Sequence, residues 1–508
     1  MESNDAPEWE KMLRSMLGDA AVEDIKQRMV EQGLDPANVQ GAIPIPSNPM
    51  AMQAMMQQMN TVLGQDVGPV NWELAKETAR SRVTAKSDPA LTAAQSAQVR
   101  QALAAASLWL DAVTDLSPGA PDYHAWTRSQ WVEGTFDTWR ELSEAVAVTA
   151  STSLTKVLTE QIQELTQHGD TSMNDALKHL GGIAFGPGNP DVPDPAGEQD
   201  FQLDTLFERM AAAMFGSLLG RGLGDLAIES LGSTDIGVPL GAGSSTALVP
   251  SNVDAFMDGL AEPAGDVLAF LAVRESAYSR LYHAVPWLRP HVMSVIGDYA
   301  KEIRFNMATM EAAARDFNPM DLEQMTDSMG SGLLQPQPTE GQEVTLKRLS
   351  ITLAIVEGWV EEVSSAALLP YVGNMSALGE TMRRRRAVGG PAEQAFATLV
   401  GLQLRPRHIR EARALFTYLN AKGGPSLRDR LWSHPDLMPT EEHLKDPESY
   451  IGIINGDSDT GDAADDELKA LLEGSLGYVE GLEPGVDSEG DAEVDGKGST
   501  EPEKDSKG

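Results

Sequence analysis

The chain has no cysteine, which excludes disulfides, thiolate metal ligands and a cysteine nucleophile. That absence fits a reducing compartment, and a cytoplasmic location is the expectation. No window approaches 18 uncharged apolar residues, and the most apolar stretch, 210–231, is interrupted by Arg221 and Asp225. A membrane span is therefore not expected. The opening MESNDAPEWEKMLRSMLGD mixes charges of both signs and lacks an apolar run, so it does not read as a secretory signal. Basic residues are few: 39 Lys plus Arg stand against 76 Asp plus Glu, a net charge of −37. Nucleic acid needs a basic footprint, so it is excluded as a main partner. No G-x-S-x-G elbow is present, which argues against a serine hydrolase. The glycines of GRGLGD lie within a helical pattern with no strand before them, so they lack the context of a phosphate loop.

What the chain does contain is material for a large helical core: 41% hydrophobic residues and 9 Trp in 508 residues. Three parts are expected. Residues 1–69 form an N-terminal arm: an amphipathic helix at 8–32, a Pro-rich linker GAIPIPSNP at 41–49, and a Met-rich helix at 50–64. Residues 70–452 form one mainly α, multi-helix domain with few or no strands. Residues 453–508 form an acidic tail; its last stretch, 457–508, holds 17 acidic residues and 4 Lys. Rich in Gly, Asp, Glu and Ser, that tail is expected to be disordered.

Within the domain, apolar residues recur at helical spacing in segment after segment. Trp109, Trp126, Trp131, Phe136 and Trp139 read as a core stripe. Ala212, Gly216, Gly220 and Gly224 fall at four-residue intervals, a stripe of small residues that lets another helix come close. GSTDIGVPLGAGSSTALVP at 232–250 is too long for a tight turn and reads as a short hairpin or an ordered loop over a cleft. An exposed connector is expected at 335–343, a long apolar helix at 345–370, and helices at 374–386, 391–402 and 405–421. Arg383 to Arg386 read as a solvated helix end pairing with the acidic surface.

The domain centres on DVLAFLAVRESAYSRLYHAVPWLRPHV, residues 266–292, whose helical pattern is closed by Pro286. Arg274, Glu275 and Tyr278 occupy positions i, i+1 and i+4. That is the footprint of the zinc-peptidase signature H-E-x-x-H, in which two His on one helical face hold the metal and Glu activates water. Both His positions hold another residue here. A guanidinium stays protonated and has no lone pair to donate. A phenol ionises only near pH 10 without a metal already beside it.

Four blocks resemble a bacterial zincin-like, zinc-dependent metallopeptidase family: HAVPWLRPHV after the helix, GSTDIGVPLG before it, the later LPYVGNMSALGETMRRRRAVGGPAEQAFATLVGLQLRPR, and RDRLWSHPDLMPTEEHLKDPESY. The resemblance covers roughly residues 70–450. Some relatives keep an intact H-E-x-x-H, while the branch most similar to this chain has Arg at the first position and usually His at the position of Tyr278. The resemblance implies a peptidase with zinc as cofactor and Glu275 as general base. It also implies a third-ligand position at Glu357 in IVEGWVEEV, with Trp359 and Glu361 beside it.

The remaining His residues offer no replacement pair. His283 is roughly 140° around the helix from Tyr278. His291, His408 and His434 stand at no paired ligand spacing. If Glu357 faces the central helix, Arg274 pairs with it where zinc sits in intact relatives. Two readings follow. One is a non-catalytic protein on a zincin-like scaffold, binding a protein or peptide through the cleft, the arm or the tail. The other is an active zinc-dependent hydrolase with Glu275 as base.

Overall fold

Glycines at every fourth position bring two long helices together, and that contact anchors the N-terminal half of the domain. The computed structural model describes residues 68–167, 199–302 apart from 235, 236, 242 and 244, 339–387 and 407–455. The N-terminal arm as far as residue 67, the helix expected at 391–402 and the tail beyond 455 lie outside the described residues.

Helices α1 (Trp72–Ala85) and α2 (Ala93–Asp111) come first, and strand β1 (Asp122–Ala125) leads into α3 (Arg128–Gln167). Next come α4 (Gln199–Glu229), strand β2 (Ser245–Leu248), α5 (Pro250–Met257), α6 (Ala264–Ala284) and α7 (Leu288–Lys301). The order ends with α8 (Glu340–Leu368), α9 (Met375–Ala387), α10 (Ile409–Asp429), two 3₁₀ turns, α11 (Glu441–Lys445) and α12 (Pro447–Asn455). The mainly helical expectation holds. The only sheet among the described residues has two strands of four residues each.

Helix α1 lies along the small-residue stripe of α4. Asn71 begins the contact: its side chain accepts from the Leu74 N–H at 3.0 Å, and its own N–H donates to the Ala212 carbonyl at 2.9 Å. A Cβ at Gly216 would run into the Asn71 carbonyl, and one at Gly220 into the Ala75 carbonyl. A Cβ at Gly224 would come within 2.7 Å of the Arg82 side chain. Arg82 then clasps Asp225 through two bonds of 2.7 and 3.1 Å. Backbone on one side leaves little to yield, so the clash at Gly220 outweighs the gain in helix propensity. Gly220→Ala is expected to destabilise the domain by about 1–3 kcal/mol, measured by denaturant unfolding.

Helix α6 is the central element, enclosed by α2, α8 and β2. Nearly every side chain from Val267 to Leu281 is buried, including Arg274, Glu275 and Arg280. A helix buried on all faces must satisfy each charge inside the protein. Arg280 does so on α2, donating to the Ser107 carbonyl at 2.9 Å and to Asp111 at 2.7 Å. The aromatic stripe is core as expected at Trp131 and Trp139, while Trp109, Trp126 and Phe136 flank it half-buried.

The structure differs from the pattern in the sequence at four places. The segment 232–250 does fold back on itself, through an antiparallel bridge between Gly232 and Leu248. Its main partner, however, is the distant β1, paired in parallel with Asp122 opposite Ser245 and Ala125 opposite Leu248. Helix α8 starts at Glu340, inside the expected connector, because Thr339 and Gln342 form a capping box. Helix α10 runs on to Asp429, with a break at Gly423 and Gly424, where φ of Gly424 is +71°. At the C-terminal end, α12 reaches Asn455 and buries Ile454, two residues into the expected tail start at 453.

Candidate functional site

Arg274 and Tyr278, one turn apart on α6, reach the same carboxylate on α8. The Arg274 guanidinium donates to one oxygen of Glu357 and the Tyr278 hydroxyl donates to the other. All three side chains are buried, with Arg274 at 4% exposure and both Tyr278 and Glu357 at 2%. The guanidinium also lies 5.6 Å from the Phe270 ring centre and 5.9 Å from that of Tyr278, so aromatic faces cushion its charge. Arg274 on α6 and Glu357 on α8 are therefore paired, at the position that the family resemblance assigns to a third ligand. This pairing fills the space between α6 and α8 with a salt bridge and a phenol.

Glu275 points elsewhere. One residue on from Arg274 is about 100° around an α-helix. Its carboxylate accepts from the Ser233 hydroxyl. At Gly232, a Cβ would stand 2.5 Å from a Glu275 oxygen and 2.7 Å from the Ala247 carbonyl, so only glycine lets the loop backbone come this close. The loop is held there by Trp131, whose indole N–H donates to the Gly232 carbonyl at 2.9 Å. Glu275 and Tyr278 are i, i+3 neighbours on the helix, yet their polar atoms serve different partners, one on the loop and one on α8.

Glu361, one turn beyond Glu357, shares its inward face. Burial first, and then the charge of Glu357, push its pKa up, against the opposing pull of Arg274, Arg383 and Arg413. Arg383 donates to it at 3.1 Å, and Arg413 lies 3.7 Å away. This corrects the reading of Arg383 to Arg386 as a solvated helix end. Arg384 fits that description, exposed and paired with Glu380, but Arg383 turns inward to Glu361 and Arg385 donates to the Glu229 carbonyl at 2.6 Å. Helix α9 packs on α6 and α8, so one side of its basic run faces protein rather than water.

Trp359 belongs to a separate buried cluster. Its indole N–H donates to Asp429 at 2.8 Å, and Asp429 also accepts from Thr114 at 2.5 Å and from Arg428 at 2.7 Å. The other histidines have local structural settings. His283 is exposed and packs its ring on Gly119. His291 lies beside Trp287, where burial and then Arg348 lower its pKa. His408 sits at the start of α10 with φ of 70°, near Glu411 and Glu441, and the ring of His434 accepts from the Asp436 N–H at 3.3 Å. Among the described residues, no group of three or more His, Asp or Glu is arranged to hold a metal ion. Nor is any described helix long and apolar enough to cross a membrane.

With the geometry in view, comparison with known proteins defines the class. Residues 70–451 match the sequence profile of the zincin-like metallopeptidase family, and the chain belongs to that family. A similar solved structure is that of a "putative hydrolase with a novel fold" from Chloroflexus aurantiacus. It is 16% identical, with a TM-score of 0.48, over 76% of this chain and 99% of that one. No functionally curated protein matches the chain.

The sequence blocks thus pointed to the right family, and the motif helix marks its central element. Three contributors escaped the sequence reading. Ser233 and Gly232 open the block GSTDIGVPLG, which was read for its length and its family resemblance but not as a partner of Glu275. Arg413 carried no signal at all, because nothing local links α10 to Glu361.

Proposed function

We propose that this chain is a non-catalytic member of the zincin-like metallopeptidase family that acts by binding a protein or peptide. One observation carries the reading: the buried carboxylate of Glu357 is already bonded by Arg274 and Tyr278, from the two positions where H-E-x-x-H enzymes place their imidazoles. Zinc requires neutral nitrogen, thiolate or carboxylate donors and one open position for water. The donor set here does not fit that requirement. A dication about 4 Å from a guanidinium is repelled by about 8 kcal/mol at an effective dielectric constant of 20. Glu275 in turn faces the loop at Ser233, which favours a structural role for it over that of a water-activating base.

The scaffold reading keeps what the family frame provides, a rigid pair of buried helices, and gives the charged cluster the task of joining them. The rival reading is zinc-dependent hydrolysis with Glu275 as base. An assay on mixed peptide substrates, with and without added zinc, separates the two. Wild type and Glu275→Ala are both expected at background, with no zinc stimulation. Zinc-stimulated cleavage that disappears in Glu275→Ala would overturn the proposal.

A further inference from the structure

Next to the buried cluster, α6, α8, α9 and α10 enclose a small cavity of about 50 Å³. At the space one water needs, this holds roughly three or four waters, or one carboxylate or phosphate group. Its wall includes three arginines from three helices, Arg274, Arg383 and Arg413, together with Ser364. Ser364 is 1% exposed, and its hydroxyl has no hydrogen-bond partner in the protein. A buried hydroxyl in a polar cavity calls for an occupant that accepts its proton.

Glu361 is the single acid in the lining, and one of its oxygens also lacks a hydrogen-bond partner. Burial and then the charge of Glu357 raise its pKa, against Arg274, Arg383 and Arg413. Each guanidinium also has a carboxylate outside the lining: Glu357 on Arg274, Glu380 on Arg383 and Glu362, at 3.8 Å, on Arg413. These partners fix the side chains, while five N–H donors on each guanidinium exceed what one carboxylate takes up.

We propose that this cavity binds a small oxyanion, either inorganic phosphate or the terminal carboxylate of a larger ligand, held by Arg383, Arg413 and the Ser364 hydroxyl. Planar guanidiniums suit the paired oxygens of such groups. Arg413, with its side chain 38% exposed, stands nearest solvent, and Arg274, at 5%, closes the inner wall. The site goes beyond the scaffold reading and is independent of it, since the cavity has this lining whether or not the protein cleaves peptides.

Isothermal titration calorimetry on the full chain tests the proposal, with sodium phosphate and sodium acetate titrated separately and sodium chloride as the control. Saturable binding of one phosphate or one acetate per chain is expected, and the stronger of the two identifies the ligand's terminal group. Ser364→Ala, which removes only the unpartnered hydroxyl, should weaken that binding about tenfold. Arg413→Gln, at the solvent side, should weaken it at least as much. No saturable binding of either anion at millimolar concentrations would overturn the proposal, as would binding that neither substitution alters. Zinc content and peptidase activity do not enter these readouts, so failure here is distinct from failure of the scaffold reading.

Discussion

Replacing Glu357 with leucine is expected to destabilise the domain by about 3–5 kcal/mol, because it leaves a buried guanidinium without its partner. Arg274 has a side chain only 5% exposed. It cannot shed its proton, so the unpaired charge persists at any ordinary pH. The Tyr278 hydroxyl loses its acceptor in the same step. The companion variant, Arg274→Met with Glu357→Leu, removes charge and counter-charge together. Buried pairs replaced by apolar groups of similar volume are often neutral in stability, so the double variant should recover most of the loss. Chemical denaturation of both variants checks this. A Glu357→Leu protein as stable as wild type would mean that the salt bridge does not join α6 to α8.

The second large effect is a gain. Arg274→His with Tyr278→His is expected to create zinc binding at about micromolar Kd or tighter, with Glu357 as the carboxylate donor. The two α6 positions already converge on that carboxylate, from one turn apart on the same face. Either single change leaves a guanidinium or a phenol in the site and should bind far more weakly. Adding Glu357→Gln to the double variant should remove most of the acquired affinity. Competition with a zinc-sensitive dye reads the series. A double variant without zinc affinity would show that the inherited geometry has drifted too far to hold metal.

Much of this cluster was readable in the sequence, for reasons that differ between residues. Arg274 and Tyr278 share a face by helical period alone, and Glu357 came from a family block. Together these predicted the pairing that the structure contains. The small-residue stripe from Ala212 to Gly224 was likewise readable, because four-residue spacing gives one face of a helix whatever packs there. The strands were not readable. DYHA shows no clear alternation and is held by register to a segment far along the chain. The inward turn of Arg383 was missed for a related reason: charge in a run looks solvated until the helix carrying it is placed against a buried acid. Glu275 is the instructive middle case. Its position in the motif was evident, but its partner depends on how close the backbone at Gly232 comes, which no helical pattern encodes.

The central claim is that Arg274 and Glu357 together stand where a zinc ion would otherwise be bound. Zinc content by atomic emission, on full-length wild-type protein purified without chelator and equilibrated with zinc before desalting, tests it most directly. Zinc far below one equivalent per chain is the predicted result. One tightly held equivalent, lost on Glu357→Gln, would contradict it.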